Sequence, residues 1–137
     1  MNYTLWALLA LVTYALVAPL VSIATNDIPS EVVVVTTNGM LVLAAGVVLL
    51  VSDVSVGDYI THPDAPYMYA AGIVLAVAII AYYRALELGP VSVVVPIFGT
   101  FLVLSSVIGI VVLEEALTAR KVAGILLAGV AVWLVSA

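Results

Sequence analysis

Arg84 and Glu87 stand three residues apart at the end of a long apolar run. A charge in or beside a membrane span is costly enough to mark function by default. Two readings fit the pair. In one, the arginine is a cation at the mouth of a cavity that greets an anionic or zwitterionic solute. In the other, which the i, i+3 spacing favours, it reaches the interface along its aliphatic stem and pairs with its own glutamate. Glu114 and Glu115 close the next apolar run, and Arg120 and Lys121 follow shortly after. Adjacent carboxylates point in different directions around a helix, so they do not form an acid/base pair. The expected role is for one of them to cap the helix or to pair with Arg120 or Lys121 and fix a hairpin, with proton or substrate coupling as the alternative. Asn38, with Thr36, Thr37 and Gly39, makes a polar notch in an earlier run. Such a notch hydrogen-bonds a solute, opens the helix at membrane depth, or bonds to a neighbouring helix. Pro96 with Gly99 and Pro19 are comparable interruptions in two further runs. Asp58, His62 and Asp64 are oxygen and nitrogen donors in one loop, but a lone histidine beside prolines is ordinarily solvated, and no metal site is expected. Phosphate-cradling glycine loops, serine elbows and His-Glu metalloprotease patterns do not occur. The reading therefore assigns no catalytic residue, implies no cofactor and does not support an enzyme.

The chain that carries these residues has 137 positions, 66% hydrophobic and 8% charged, with a mean hydropathy of +1.39. A soluble domain is about half apolar and a quarter charged. The composition is that of a multi-pass integral membrane protein whose main partner is the lipid bilayer. A span needs about 20 apolar residues, so the length accommodates five or six spans with short loops. Cysteine is absent, which excludes disulfides and thiolate chemistry. Three basic residues against eight acidic ones leave no cluster suited to nucleic acid or anionic headgroups.

The apolar runs predict an all-α bundle of five transmembrane helices forming one domain over 1–137, with spans at about 3–24, 32–51, 67–86, 91–113 and 122–135. The first run lacks the basic start and short core of a signal peptide, so it is expected to be a retained helix, kinked near its end by Pro19. Ser30 is the expected N-cap of the second. Val32–Thr37 is rich in β-branched residues, but an open strand edge cannot face hydrocarbon, so helix is the expectation there too. The polar stretch Ser52–Pro66 must lie in water. The fifth run is short and is expected to begin with Lys121 snorkelling. Small residues four apart, at Gly72/Ala76, Ser105/Gly109 and Gly124/Ala128, predict close helix approach in a compact bundle.

Tyr82-Tyr83-Arg84-Ala85-Leu86 followed by Gly89-Pro90, then Val95-Pro96-Ile97, then Glu114 or Glu115, then Gly124 and Gly129, occur in the order and spacing of an EamA domain. Over nearly its whole length the chain resembles a single five-helix EamA unit of the drug/metabolite transporter superfamily. The resemblance implies a carrier that moves a small metabolite across the plasma membrane. Residues expected to line its cavity are Asn38, Tyr82, Tyr83, Arg84, Pro96 and Gly99, and the spans expected to enclose it are the first, third and fourth; Glu87, Glu114, Glu115 and Arg120 are expected to be structural or coupling residues.

Larger relatives carry two five-helix repeats, and an odd number of spans makes tandem copies lie inverted. A stand-alone unit is accordingly expected to act as an antiparallel homodimer with dual topology. The basic residues permit it, with Arg120 and Lys121 on the N-terminal side and Arg84 on the other. The alternative is a small membrane protein that partners another without itself transporting.

Overall fold

A computed structural model describes residues 2–52, 54–114 and 116–136, and those residues contain no β-strand. The helices are α1 (Tyr3–Ala15), α2 (Val17–Ala24), α3 (Ser30–Val51), α4 (Gly57–Ile60), α5 (Ala65–Leu88), α6 (Val91–Gly99), α7 (Phe101–Val112) and α8 (Ala119–Ser136). Four runs are long and apolar enough to cross a membrane: Tyr3–Ala24, Ser30–Val51, Ala65–Leu88 and Val91–Val112. The fifth long helix is α8. The protein is an all-α integral membrane bundle.

Asn2 starts α1, its side-chain oxygen accepting the Thr4 N–H at 3.1 Å. The kink expected from Pro19 falls a turn upstream, at Leu16, where the first run divides into α1 and α2. Proline has no N–H to offer the carbonyl four residues back and its ring crowds that carbonyl, here Ala15, so the ladder breaks at the residue Pro19 would have bonded. Leu16 keeps helical dihedrals (φ −82°, ψ −16°), so the interruption is local. The fourth run divides at Thr100, four residues after Pro96, which lies within α6. The Thr100 N–H and hydroxyl both reach the Ile97 carbonyl, at 3.2 and 2.7 Å, and tighten that turn.

Other boundaries also differ from expectation. Pro29 occupies the position before α3 with extended backbone (φ −54°, ψ 139°) and Ser30 is the first helical residue, not the cap. The third span begins at Ala65 rather than 67, because proline is tolerated in a first turn and Pro66 does not end the loop. It also runs on to Leu88, where Gly89-Pro90 stops it. Pro90 then opens α6, its carbonyl accepting Val93 and Val94 N–H groups at 3.0 Å. The fifth helix starts at Ala119 instead of 122, capped by Thr118, whose hydroxyl accepts the Lys121 N–H at 3.2 Å. The segment between α3 and α5 holds the single turn α4, tied to α5 by the Tyr69 hydroxyl donating to the Ile60 carbonyl at 2.9 Å.

The chain divides into two compact units, one ending at Leu88 and the other beginning at Gly89. In the first, α2 and α3 pack on α5. Apart from Ala65 at the start of α5, the buried side chains gather at one end: Ala18, Val21 and Thr25 of the α2 segment, Ser30 and Val33 at the start of α3, and Tyr82, Tyr83 and Leu86 at the end of α5. In the second unit α8 packs on α6 and α7, with Gly109 buried. The close approach expected at Gly72 and Gly124 does not occur within the chain, since a Cβ at either would meet nothing within 4 Å. In hydrocarbon no apolar driving force compels helices to close on each other; packing and hydrogen bonds decide where they touch.

Candidate solute cavity

Two polar links hold the packed end of the first unit. The Ser30 hydroxyl donates to Glu87 Oε2 at 2.8 Å, joining the start of α3 to the end of α5. The Arg84 guanidinium bonds the same carboxylate oxygen from one turn back on α5. Of the two sequence readings of Arg84, the geometry carries the paired one. Its side chain is 53% exposed and that of Glu87 20%, so the pair sits at the edge of the span with its charge largely cancelled. Arg84 also faces a groove of about 400 Å³ shared with Ser30, Glu31, Val34, Val35 and Ile80.

A turn deeper lies a second link. Thr37 Oγ1 is 3.3 Å from the Tyr83 hydroxyl and 2.8 Å from the Val33 carbonyl of its own helix. Thr36 bonds back to the Val32 carbonyl at 2.8 Å, and Asn38 Nδ2 donates to the Val34 carbonyl at 2.9 Å. Hydroxyls and amides in a helix interior satisfy themselves on the carbonyl four residues back when water is absent. That is why α3 continues unbroken through the notch instead of opening there.

Beside this link is a cavity of about 430 Å³. Its polar lining residues are Tyr14, Thr37, Asn38 and Tyr83, and its apolar ones are Val17, Leu20, Val21, Leu41, Leu75 and Ile79. The first, second and third runs build it. The sequence expectation placed the cavity among the first, third and fourth spans while naming Asn38 of the second as a lining residue; the second run lines it through Thr37, Asn38 and Leu41, and no residue of the fourth does. Tyr14 was the polar lining residue without a signal of its own, one apolar-compatible side chain in a long run, whereas Thr37 stood in the polar notch beside Asn38.

The remaining expected site residues are dispersed. Tyr82 is buried against Tyr83, ring centroids 6.3 Å apart and nearly edge-on, and does not line the cavity. Pro96 and Gly99 lie in α6 of the second unit, outside the hollow of about 390 Å³ that Ser105, Ser106, Gly109 and Lys121 help to line there. Glu114 follows the end of α7 with a positive φ of 54°, the left-handed turn by which helices terminate. It makes no ion pair with Arg120 among the described residues. Glu115 lies outside the described residues. In the loop, the Asp64 N–H donates to His62 Nδ1 at 3.2 Å, a local turn.

Fold and cavity together define the class: a multi-pass helical membrane protein with a pocket of small-molecule size between its spans. The family model of the EamA-like transporter family matches residues 1–137, the whole length, and the chain belongs to that family. Neither a curated protein nor a solved structure matches it.

Proposed function

We propose that the chain is a secondary carrier that moves a small metabolite across the plasma membrane, with the cavity beside Asn38 and Tyr83 as the solute site of each unit. The observation that carries this reading is the cavity itself: a pocket lined mainly by apolar side chains, with four polar ones, Tyr14, Thr37, Asn38 and Tyr83, contributed by three helices. Asn38 lies eight residues into α3, about 12 Å along the helix, a depth that supports a site within the hydrocarbon. Carriers of repeat architecture bind near that depth.

The working form in this reading is an antiparallel homodimer. It is supported by helix positions such as Gly72 and Gly124 that face open space in the single chain and would admit a neighbouring backbone. Three basic residues, one of them tied to Glu87, put little bias on orientation.

The test is reconstitution into liposomes with an efflux screen over neutral, anionic and cationic metabolites. Saturable, protein-dependent efflux of any of them supports the carrier. A protein that inserts and dimerises but moves no member of the panel points to the non-transporting partner role instead. For the dimer, two lysines added beside Asn2 should fix one orientation and abolish transport, and a variant with lysines beside Glu87 should restore it on co-expression. A terminal reporter active in only one compartment that finds every wild-type N-terminus on one side overturns the dual topology.

A further inference from the structure

We infer that the cavity takes an uncharged solute with an apolar body and one hydrogen-bonding head, held by the Asn38 side-chain amide. This rests on the carrier reading only in treating the cavity as a solute site. No charged residue lines it among the described residues. Arg84, adjacent in sequence to Tyr83, faces the separate groove and spends its guanidinium on Glu87. An ion entering the cavity would lose its hydration without gaining a counter-charge, which low-dielectric surroundings penalise heavily.

The polar lining residues, in contrast, have capacity left for a neutral head group. Asn38 uses one N–H on the Val34 carbonyl, and an amide carries a second N–H and an acceptor oxygen besides. Its Oδ1 has no partner among the described residues. The Tyr14 hydroxyl, on α1, has none among the described residues either, and the Tyr83 hydroxyl meets Thr37. One donor and one acceptor are thus offered side by side, which suits a hydroxyl, a phenol or an indole N–H. Leu41, Leu75 and Ile79 supply the surface for the body of such a molecule. The size of the cavity, about 430 Å³, is within the range of small-molecule sites and has room for a single aromatic ring system.

The experiment is calorimetric titration of the protein in nanodiscs, corrected against empty nanodiscs, with three molecules sharing one body: 2-phenylethanol, phenylacetate and 2-phenylethylamine. The alcohol should bind saturably and at least about 10-fold more tightly than either ion. Ethylbenzene, lacking the head, should bind more weakly than the alcohol. Asn38→Leu should remove about a 10-fold advantage of the alcohol over ethylbenzene. Should that variant misfold, Asn38→Asp keeps the shape and should move the preference to the amine. Equal or tighter binding of phenylacetate or phenylethylamine by the wild type overturns the inference, as does the lack of saturable binding by all three or an alcohol preference that survives both substitutions. Saturable alcohol binding in a protein that transports nothing in the liposome screen leaves the ligand class standing and removes the carrier reading; transport of anions with tight phenylacetate binding does the opposite.

Discussion

Ser30 Oγ lies 2.8 Å from Glu87 Oε2, although 57 residues separate them in the chain. The contact closes the end of an antiparallel helix pair, and the same oxygen receives Arg84. Glu87 is therefore the hub and its two donors are spokes. Glu87→Ala should lower stability more than either Ser30→Ala, expected to cost about 1 kcal/mol, or Arg84→Ala, expected to stay below about 1 kcal/mol because that side chain is more than half exposed. Unfolding in detergent of the three variants gives the order directly. Arg84→Ala as the most damaging of the three would remove the hub.

Because Arg84 does not line the Asn38 cavity, its loss should also leave solute affinity there unchanged. Tyr83→Phe makes the contrast. It deletes a hydroxyl that meets both the cavity and Thr37, and should reduce binding while costing about 0.6 kcal/mol of stability, the average for a hydrogen bond between membrane helices. Parallel titrations of the two variants decide it.

Much of this was legible from residues and spacing. Apolar run length is a strong signal because lipid allows few alternatives to helix, and it located every long element to within a few residues. The i, i+3 spacing of Arg84 and Glu87 likewise predicts their pairing. The hydrogen bond from Ser30 was not visible. A serine after a proline at a helix start reads as a cap, and only the packing of α3 on α5 reveals that its hydroxyl turns to another helix. Asn38 stood out as an amide in an apolar run, whereas Tyr14 did not, because tyrosine is at home in any span. The small-residue spacing at Gly72 and Gly124 carried a signal for close approach, but sequence does not say whether the approaching helix belongs to the same chain.

Glu114 offers a stability gain. A side chain in the left-handed region is strained, and glycine is the residue that adopts it freely. Glu114→Gly should stabilise the chain by about 1 kcal/mol, and Glu114→Val should destabilise it. A loss of stability with glycine would mean that the carboxylate contributes more than its backbone costs.

Pro19→Ala should return an N–H to the Ala15 carbonyl and fuse α1 with α2. Tyr14 and Val21, which wall the cavity on either side of the break, would shift relative to each other. The expected outcome is unchanged or higher stability with weakened solute binding, read by titration together with slower hydrogen exchange around Leu16.

Topology is open to cysteine labelling. Asp27 and Asp58 are exposed and lie in the segments at opposite ends of α3, so single cysteines there should react from opposite faces within any one orientation. Ser30 is a poor label site because it is buried at 3% exposure. Reaction of both positions from one face only would contradict the helix order.

Apart from Ala65, the buried side chains of the first unit gather toward the end where Ser30 meets Glu87, and α3 extends from there for 22 residues, roughly 30 Å. Mechanically this is a fulcrum with a long arm. A rotation of about 10° at the pinned end carries the far tip of the helix through about 5 Å, a hydrogen-bond length and more, while the contacts at the pivot barely stretch. Distance probes seeking motion in this protein belong at the Val51 end of α3, where small angles become large displacements.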